Sequence, residues 1–213
     1  MAVPADLLHL VRHGEVNNPD RVLYGRLTGF GLTERGHQMA RTVGHFFEDR
    51  PVSRIISSPL TRAVQTAEAI AEATHLSGTP DDRIIEGANQ FEGSRLSLRT
   101  VLQSPAVWPR LWNPWRPSWG EAYRSVASRM LAAMDEAHES VDSGEVVMVS
   151  HQLPIWTIHR QMAGVGIAHS PRKRRCSLCS VTTFHRTGNQ WSEVAYIEPA
   201  TKLLQGAVDL GAV

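Results

Sequence analysis

Apolar residues along the chain fall into two alternating patterns, short continuous runs and stripes at helical spacing. Leu7-Leu8-His9-Leu10-Val11 is a run that stops at Arg12-His13-Gly14, as a buried strand entering a turn does. After a loop with Gly25, Gly29 and Gly31, Thr33 precedes a stripe of Met39, Ala40, Val43 and Phe47. This pattern predicts a helix capped by Thr33 and ending near Glu48. Arg54-Ile55-Ile56-Ser57 reads as a second strand, closed by Ser58-Pro59, and Leu60, Ala63, Val64, Ala67, Ile70 and Ala71 mark a second helix. Arg83-Ile84-Ile85-Glu86 reads as either an edge strand or an extended loop. A third helix is expected from Glu121 to about Val141, followed by the buried strand Val146–Ser150 and a fourth helix with Pro154 in its first turn. Leu178–His185 and Trp191–Ile197 flank Thr187-Gly188-Asn189 and predict a hairpin.

The rhythm breaks between residues 94 and 120, where Pro105, Pro109, Pro114 and Pro117 alternate with Trp108, Trp112, Trp115 and Trp119. That much proline excludes a regular helix, and the tryptophans need cover. The stretch is therefore expected to be a structured excursion over the domain, forming a lid, a substrate wall or a small satellite core.

Strands alternating with helices imply an α/β fold, a three-layer α/β/α sandwich around a mostly parallel central sheet. The 213 residues suit one domain, 1–213, that includes the excursion. Ligands of such sheets sit outside the carboxyl ends of the strands. Arg12 and His13, Arg62, and Ser150 with His151 each follow a predicted strand, so the topology brings distant positions to one crevice. Two guanidinium forks and two imidazoles in one crevice suit a small dianion such as a phosphate group. A neutral imidazole beside them can attack phosphorus, and a carboxylic acid can protonate the leaving oxygen.

Composition narrows the classes. With 22 Lys+Arg against 21 Asp+Glu, the net charge is +1, which argues against a nucleic-acid surface. No apolar run approaches the ~20 residues of a membrane span, and the start lacks a signal-peptide pattern. Two cysteines make no disulfide framework, so a cytoplasmic protein is expected. Cys176 and Cys179 lack a second pair for a zinc site and are expected to be inert thiols, and the remaining histidines show no metal-ligand spacing. Pro171-Arg172-Lys173-Arg174-Arg175 is read as a solvated loop, with a lesser role in drawing in anionic substrates. No cofactor and no metal are expected.

Three segments carry a more specific signal. Leu10-Val11-Arg12-His13-Gly14-Glu15, Ser57-Ser58-Pro59-Leu60-Thr61-Arg62-Ala63-Val64-Gln65-Thr66-Ala67 and Val149-Ser150-His151 resemble, in order, the blocks of the histidine phosphatase superfamily, the phosphoglycerate-mutase-like proteins. The resemblance implies a phosphoglycerate-mutase-like fold with His13 as nucleophile and Arg12, Arg62 and His151 as the phosphate pocket. It also implies an acid after the second helix, assigned to Glu86 with Glu92 in reserve. The asparagine that family members often carry six residues after the nucleophile is here Pro19, and Asn17 is assigned to phosphate binding instead. Gln152 stands where a glycine usually follows the late histidine and is also assigned to the pocket. The implied activity is metal-independent hydrolysis of a small phosphorylated metabolite through a phosphohistidine. The alternatives are mutase-type transfer and a non-catalytic phospho-ligand binder. A homodimer is left open.

Overall fold

A computed structural model describes residues 5–94, 120–166 and 174–209. Six strands form one sheet: β1 Leu7–Arg12, β2 Val52–Ser57, β3 Gly78–Pro80, β4 Glu145–Ser150, β5 Val181–Thr187 and β6 Gln190–Ile197. Their order is β3-β2-β4-β1-β5-β6. The first four run parallel, while β5 pairs antiparallel with β1 and with β6. Among the described residues, five helices accompany them: α1 Glu34–Phe47, α2 Thr61–Thr74, α3 Tyr123–Glu139, α4 Gln152–Met162 and the short α5 Thr201–Leu204.

Period-two alternation sorts the strand residues onto two cores. Leu8, Leu10, Ile56, Val146 and Met148 face Val126, Met130, Ala133 and Met134 of α3 and Ile155 and Ile158 of α4. Val11, Ile55, Val147 and Val149 face Met39, Val43 and Phe47 of α1 and Ala63, Ala67 and Ile70 of α2. All six residues of β4 are buried, as expected for a central parallel strand with helices on both faces. Gly44 sets the spacing of α1 and α2, because a Cβ there would lie 2.6 Å from the Ala69 carbonyl oxygen.

Thr33 caps α1 as expected, its side chain accepting the Gly36 N–H at 2.9 Å. The region after α2 departs from the reading of Arg83–Glu86. The edge strand is Gly78–Pro80, and Asp82–Ile84 forms a 3-10 turn. Asp81 causes the turn by accepting the Arg83 N–H at 2.8 Å, and Pro80 lacks the N–H a longer strand would use. Pro154 is the third residue of α4, within its first turn as expected. The excursion and its four tryptophans lie outside the described residues. Its flanks are tied together where the Glu121 N–H donates to the Ala88 carbonyl at 2.9 Å.

Candidate active site

Arg12, His13, Arg62 and His151 leave the carboxyl end of a strand or the first turn of the helix that follows it, while Glu86 follows the 3-10 turn Asp82–Ile84. Arg12 ends β1, and the His13 backbone N–H donates to the Ser150 carbonyl at the end of β4. Arg62 is the second residue of α2, and a helical side chain there leans back toward the strand ends. His151 is the N-cap of α4. Ser150 fixes the approach of the fourth element, donating from its hydroxyl to the Ile84 carbonyl at 2.7 Å, two residues before Glu86. Arg12, His13, Arg62, Glu86 and His151 are all fully buried.

The hydrogen bonds of His13 decide which nitrogen reacts. Nδ1 lies 2.8 Å from the Gly14 carbonyl oxygen, which can only accept, so Nδ1 carries the proton. Nε2 is left with its lone pair and has no partner. Burial, then the charges of Arg62 and Arg12, hold the His13 pKa well below its ordinary 6.5, so the ring is neutral. The His151 ring centroid lies 5.2 Å from that of His13. Its Nε2 is 2.7 Å from the Ser58 hydroxyl, while Nδ1 has no partner. Ser58 also accepts the Leu60 N–H at 3.4 Å, so its hydroxyl ties His151 to the start of α2.

Burial, then Arg62, His13 and Arg12, hold the His151 pKa well below 6.5 and keep its ring neutral. A bound dianion offsets the charge of the two arginines and favours the imidazolium of His151.

Arg62 lies over the Tyr24 ring at 4.7 Å and donates through Nη2 to the Gly25 carbonyl at 2.6 Å. Its Nε and Nη1 stay unpartnered. Glu86 accepts the Gly87 N–H on Oε1 at 2.8 Å, and Oε2 is unpartnered. Burial raises the Glu86 pKa against the opposing pull of the Gly87 N–H and Arg62, which favours the protonated acid. Glu92, the reserve, spends Oε1 on the backbone N–H groups of Arg26 and Asn89 at 3.0 and 3.2 Å.

Asn17 and Gln152 are not drawn into this cluster. Asn17 is exposed on the loop, where its backbone N–H donates to the Gly31 carbonyl at 2.9 Å. The Gln152 side-chain oxygen accepts from Arg174 at 3.3 Å. The neighbouring Asn18 is occupied by both backbone groups of Val22, at 2.8 and 3.1 Å.

Sequence reasoning missed several supporting contacts. The Thr66 hydroxyl accepts the Gly14 N–H at 3.1 Å, and the Cys176 carbonyl accepts from Arg12 at 2.6 Å. The Cys179 N–H donates to the His13 carbonyl at 3.3 Å. Thr66 stood in a quoted segment and both cysteines were read as inert thiols, but carbonyl and amide contacts leave no residue-type signal. Burial pushes the thiols of Cys176 and Cys179 up to about 11 and 12, consistent with inert sulfur. Among the described residues no group of three or more His, Cys, Asp or Glu side chains is placed to hold a metal, and no helix is long and apolar enough to cross a membrane.

The model of the histidine phosphatase superfamily (branch 1) matches residues 8–198. The chain is 44% identical over 194 residues to "Uncharacterized protein Rv0525" of Mycobacterium tuberculosis strain H37Rv, covering 91% of this chain and 96% of that one. It is 28% identical over 189 residues to "Probable phosphoglycerate mutase GpmB" of Erwinia tasmaniensis, with 86% of each covered. Its fold is like that of mycobacterial glucosyl-3-phosphoglycerate phosphatase Rv2419c, solved in complex with inorganic phosphate. There the TM-score is 0.68 at 24% identity, over 89% of this chain and 96% of that one. The chain belongs to the histidine phosphatase superfamily, branch 1.

Proposed function

We propose that this protein is a phosphomonoesterase that hydrolyses a small phosphorylated metabolite through a phosphohistidine on His13. One observation carries the reading. Arg12 Nε, His13 Nε2, Arg62 Nε and Nη1, Glu86 Oε2 and His151 Nδ1 are all buried and all without a hydrogen-bond partner. Buried polar atoms are rarely left unsatisfied, because each costs about 1–3 kcal/mol. A concentration of them, with donors in excess and one lone-pair nitrogen among them, suits a bound phosphate group.

In the first step the His13 Nε2 lone pair attacks phosphorus and the bond from phosphorus to the ester oxygen breaks. Glu86 passes its proton to that oxygen, so the leaving group departs as a neutral alcohol. Arg12, Arg62 and His151 hold the equatorial oxygens, where charge accumulates in transit. In the second step Glu86, now a carboxylate, takes a proton from water while the water oxygen attacks phosphorus. The bond from phosphorus to nitrogen breaks, and inorganic phosphate leaves with Glu86 again protonated. The arginines supply the positive charge, and no metal ion takes part in either step.

The test is hydrolysis of p-nitrophenyl phosphate with and without a chelator, combined with acid-quench trapping of phosphoenzyme. Expected are chelator-insensitive turnover, an acid-labile phosphoryl group, and loss of both in His13→Ala with the fold retained. Turnover by that variant would show that the nucleophile lies elsewhere. The likeness to "Probable phosphoglycerate mutase GpmB" favours mutase-type transfer as the second reading. A coupled mutase assay with and without 2,3-bisphosphoglycerate separates the two.

A further inference from the structure

The chain after β6 returns to the site. Past α5, the Gly206 carbonyl accepts from Arg35, and the Val208 N–H donates to Glu15 Oε1 at 2.7 Å. Glu15 is itself held by the Thr33 hydroxyl on Oε2 at 2.5 Å. These ties deliver Asp209 to Arg12. Its carboxylate takes Nη1 on Oδ2 at 2.7 Å and Nη2 on Oδ1 at 2.6 Å. Asp209 is about a third exposed (side-chain accessibility 36%), whereas Arg12 is fully buried.

Counting protons on Arg12 shows what this contact leaves available. A guanidinium has five N–H donors in a fixed plane. Nη1 spends one on Asp209 and one on the Cys176 carbonyl, and Nη2 spends one on Asp209. The second Nη2 proton and the Nε proton remain, on the adjacent edge of the same plane, and Nε has no partner. That edge is itself a two-toothed fork of the kind that binds two oxygens of one anion.

Asp209 does not occupy the anion's place. His13 Nε2, Arg62 Nε and Nη1, and His151 Nδ1 stay without partners, although a carboxylate in that place would satisfy some of them.

Resting on the phosphate-pocket reading, we propose that Asp209 is a positioning residue: it clamps the end of Arg12 so that the Nε/Nη2 edge faces the phosphoryl group. Arginine is long and rotamer-rich, and holding it in advance removes an ordering cost that would otherwise fall in the transition state. The negative charge of Asp209 also stabilises the buried cation, moving the Arg12 pKa upward despite burial.

The experiment compares full-length wild type, Asp209→Ala and Asp209→Glu. It measures p-nitrophenyl phosphate turnover together with calorimetric binding of inorganic phosphate and of orthovanadate, which adopts the five-coordinate geometry of phosphoryl transfer. The expected result for Asp209→Ala is a fall in kcat of about tenfold with KM changed by about twofold or less, because the lost order matters most in the transition state. Vanadate affinity falls by the same factor as kcat, phosphate affinity falls less, and Asp209→Glu restores most of both.

Unchanged kcat and vanadate affinity in Asp209→Ala would overturn the clamp. Tighter binding of both anions with faster turnover would also overturn it, since the tail carboxylate would then be a competitor of substrate. Wild-type protein that binds neither anion would refute the phosphate pocket itself and the clamp with it, so the two failures are distinguishable.

Discussion

Replacing Glu86 by glutamine separates the chemical role of this carboxyl from its structural one. The amide oxygen keeps the bond to the Gly87 N–H, and the amide nitrogen occupies the position of the unpartnered Oε2, so the segment retains its shape. What is lost is a transferable proton. General acid catalysis contributes about 10²–10⁴-fold, which is about 3–5 kcal/mol of barrier. The full loss is expected on an alkyl phosphate, whose leaving oxygen must be protonated. p-Nitrophenolate leaves without help, so the first step on that substrate slows by less than about tenfold. The second step still lacks its base, and phosphoenzyme accumulates as a burst in rapid-quench measurements.

Stability moves in the opposite direction. The folded Glu86 binds its proton more tightly than the unfolded one, so wild-type stability declines as pH rises above the ordinary value of 4.5 and through the raised folded value. Glu86→Gln escapes that decline and at pH 7 unfolds at or above the wild-type temperature. A variant that hydrolyses an alkyl phosphate within about threefold of wild type would refute the assignment of Glu86 as the acid.

Arg62→Lys keeps the charge but loses the fork. With two charge-assisted hydrogen bonds at about 1.5–3 kcal/mol each, kcat/KM is expected to drop by about 10²–10⁴-fold in steady-state assays. The pH profile of kcat/KM should be bell-shaped and displaced to acid. Its acid limb, from protonation of His13, lies well below 6.5, and its alkaline limb, from ionisation of Glu86, lies above 4.5 and disappears in Glu86→Gln. Gly36→Ala places a methyl group against the Glu15 carbonyl, where backbone rather than a side-chain end must yield. It should cost about 1–3 kcal/mol in denaturant melts and also lower turnover, because Glu15 follows His13-Gly14.

Patterning carried most of the fold because the two cores are local records of it. The i, i+3, i+4 stripe of α1 and the buried run of β4 are each written within one element, and each is found within a few residues of its expected bounds. Short elements fare worse. β3 has only Gly78, Thr79 and Pro80, all exposed, and owes its place to pairing with β2 rather than to a pattern of its own. At the site, Arg12, His13, Arg62, Glu86 and His151 were legible because chemistry restricts their residue types. Asn17 was assigned to fill a vacancy in a family pattern and lies exposed instead. Asp209 and Ser58 escaped for the reverse reason. One acts across 197 residues of chain and the other across 93, and neither separation leaves a trace in local spacing.

The same orphaned atoms that define the pocket also explain why the surrounding scaffold is so heavily tied. Such a site is costly in itself, since two buried guanidinium charges repel and several of their donors have no protein partner. It persists because each member is fixed from behind by a group that takes no part in the chemistry: the Gly25 carbonyl and Tyr24 ring for Arg62, Asp209 and the Cys176 carbonyl for Arg12, Ser58 for His151, and the Gly14 carbonyl for His13. These ties stop the side chains from relaxing toward one another's partners, so the strain can be relieved only by an anion from outside. Binding of the phosphate group and the downward pressure on the histidine pKa values thus have one cause. Positive charge is held in a dry place, and the same charge that binds the anion keeps the His13 lone pair free to attack it.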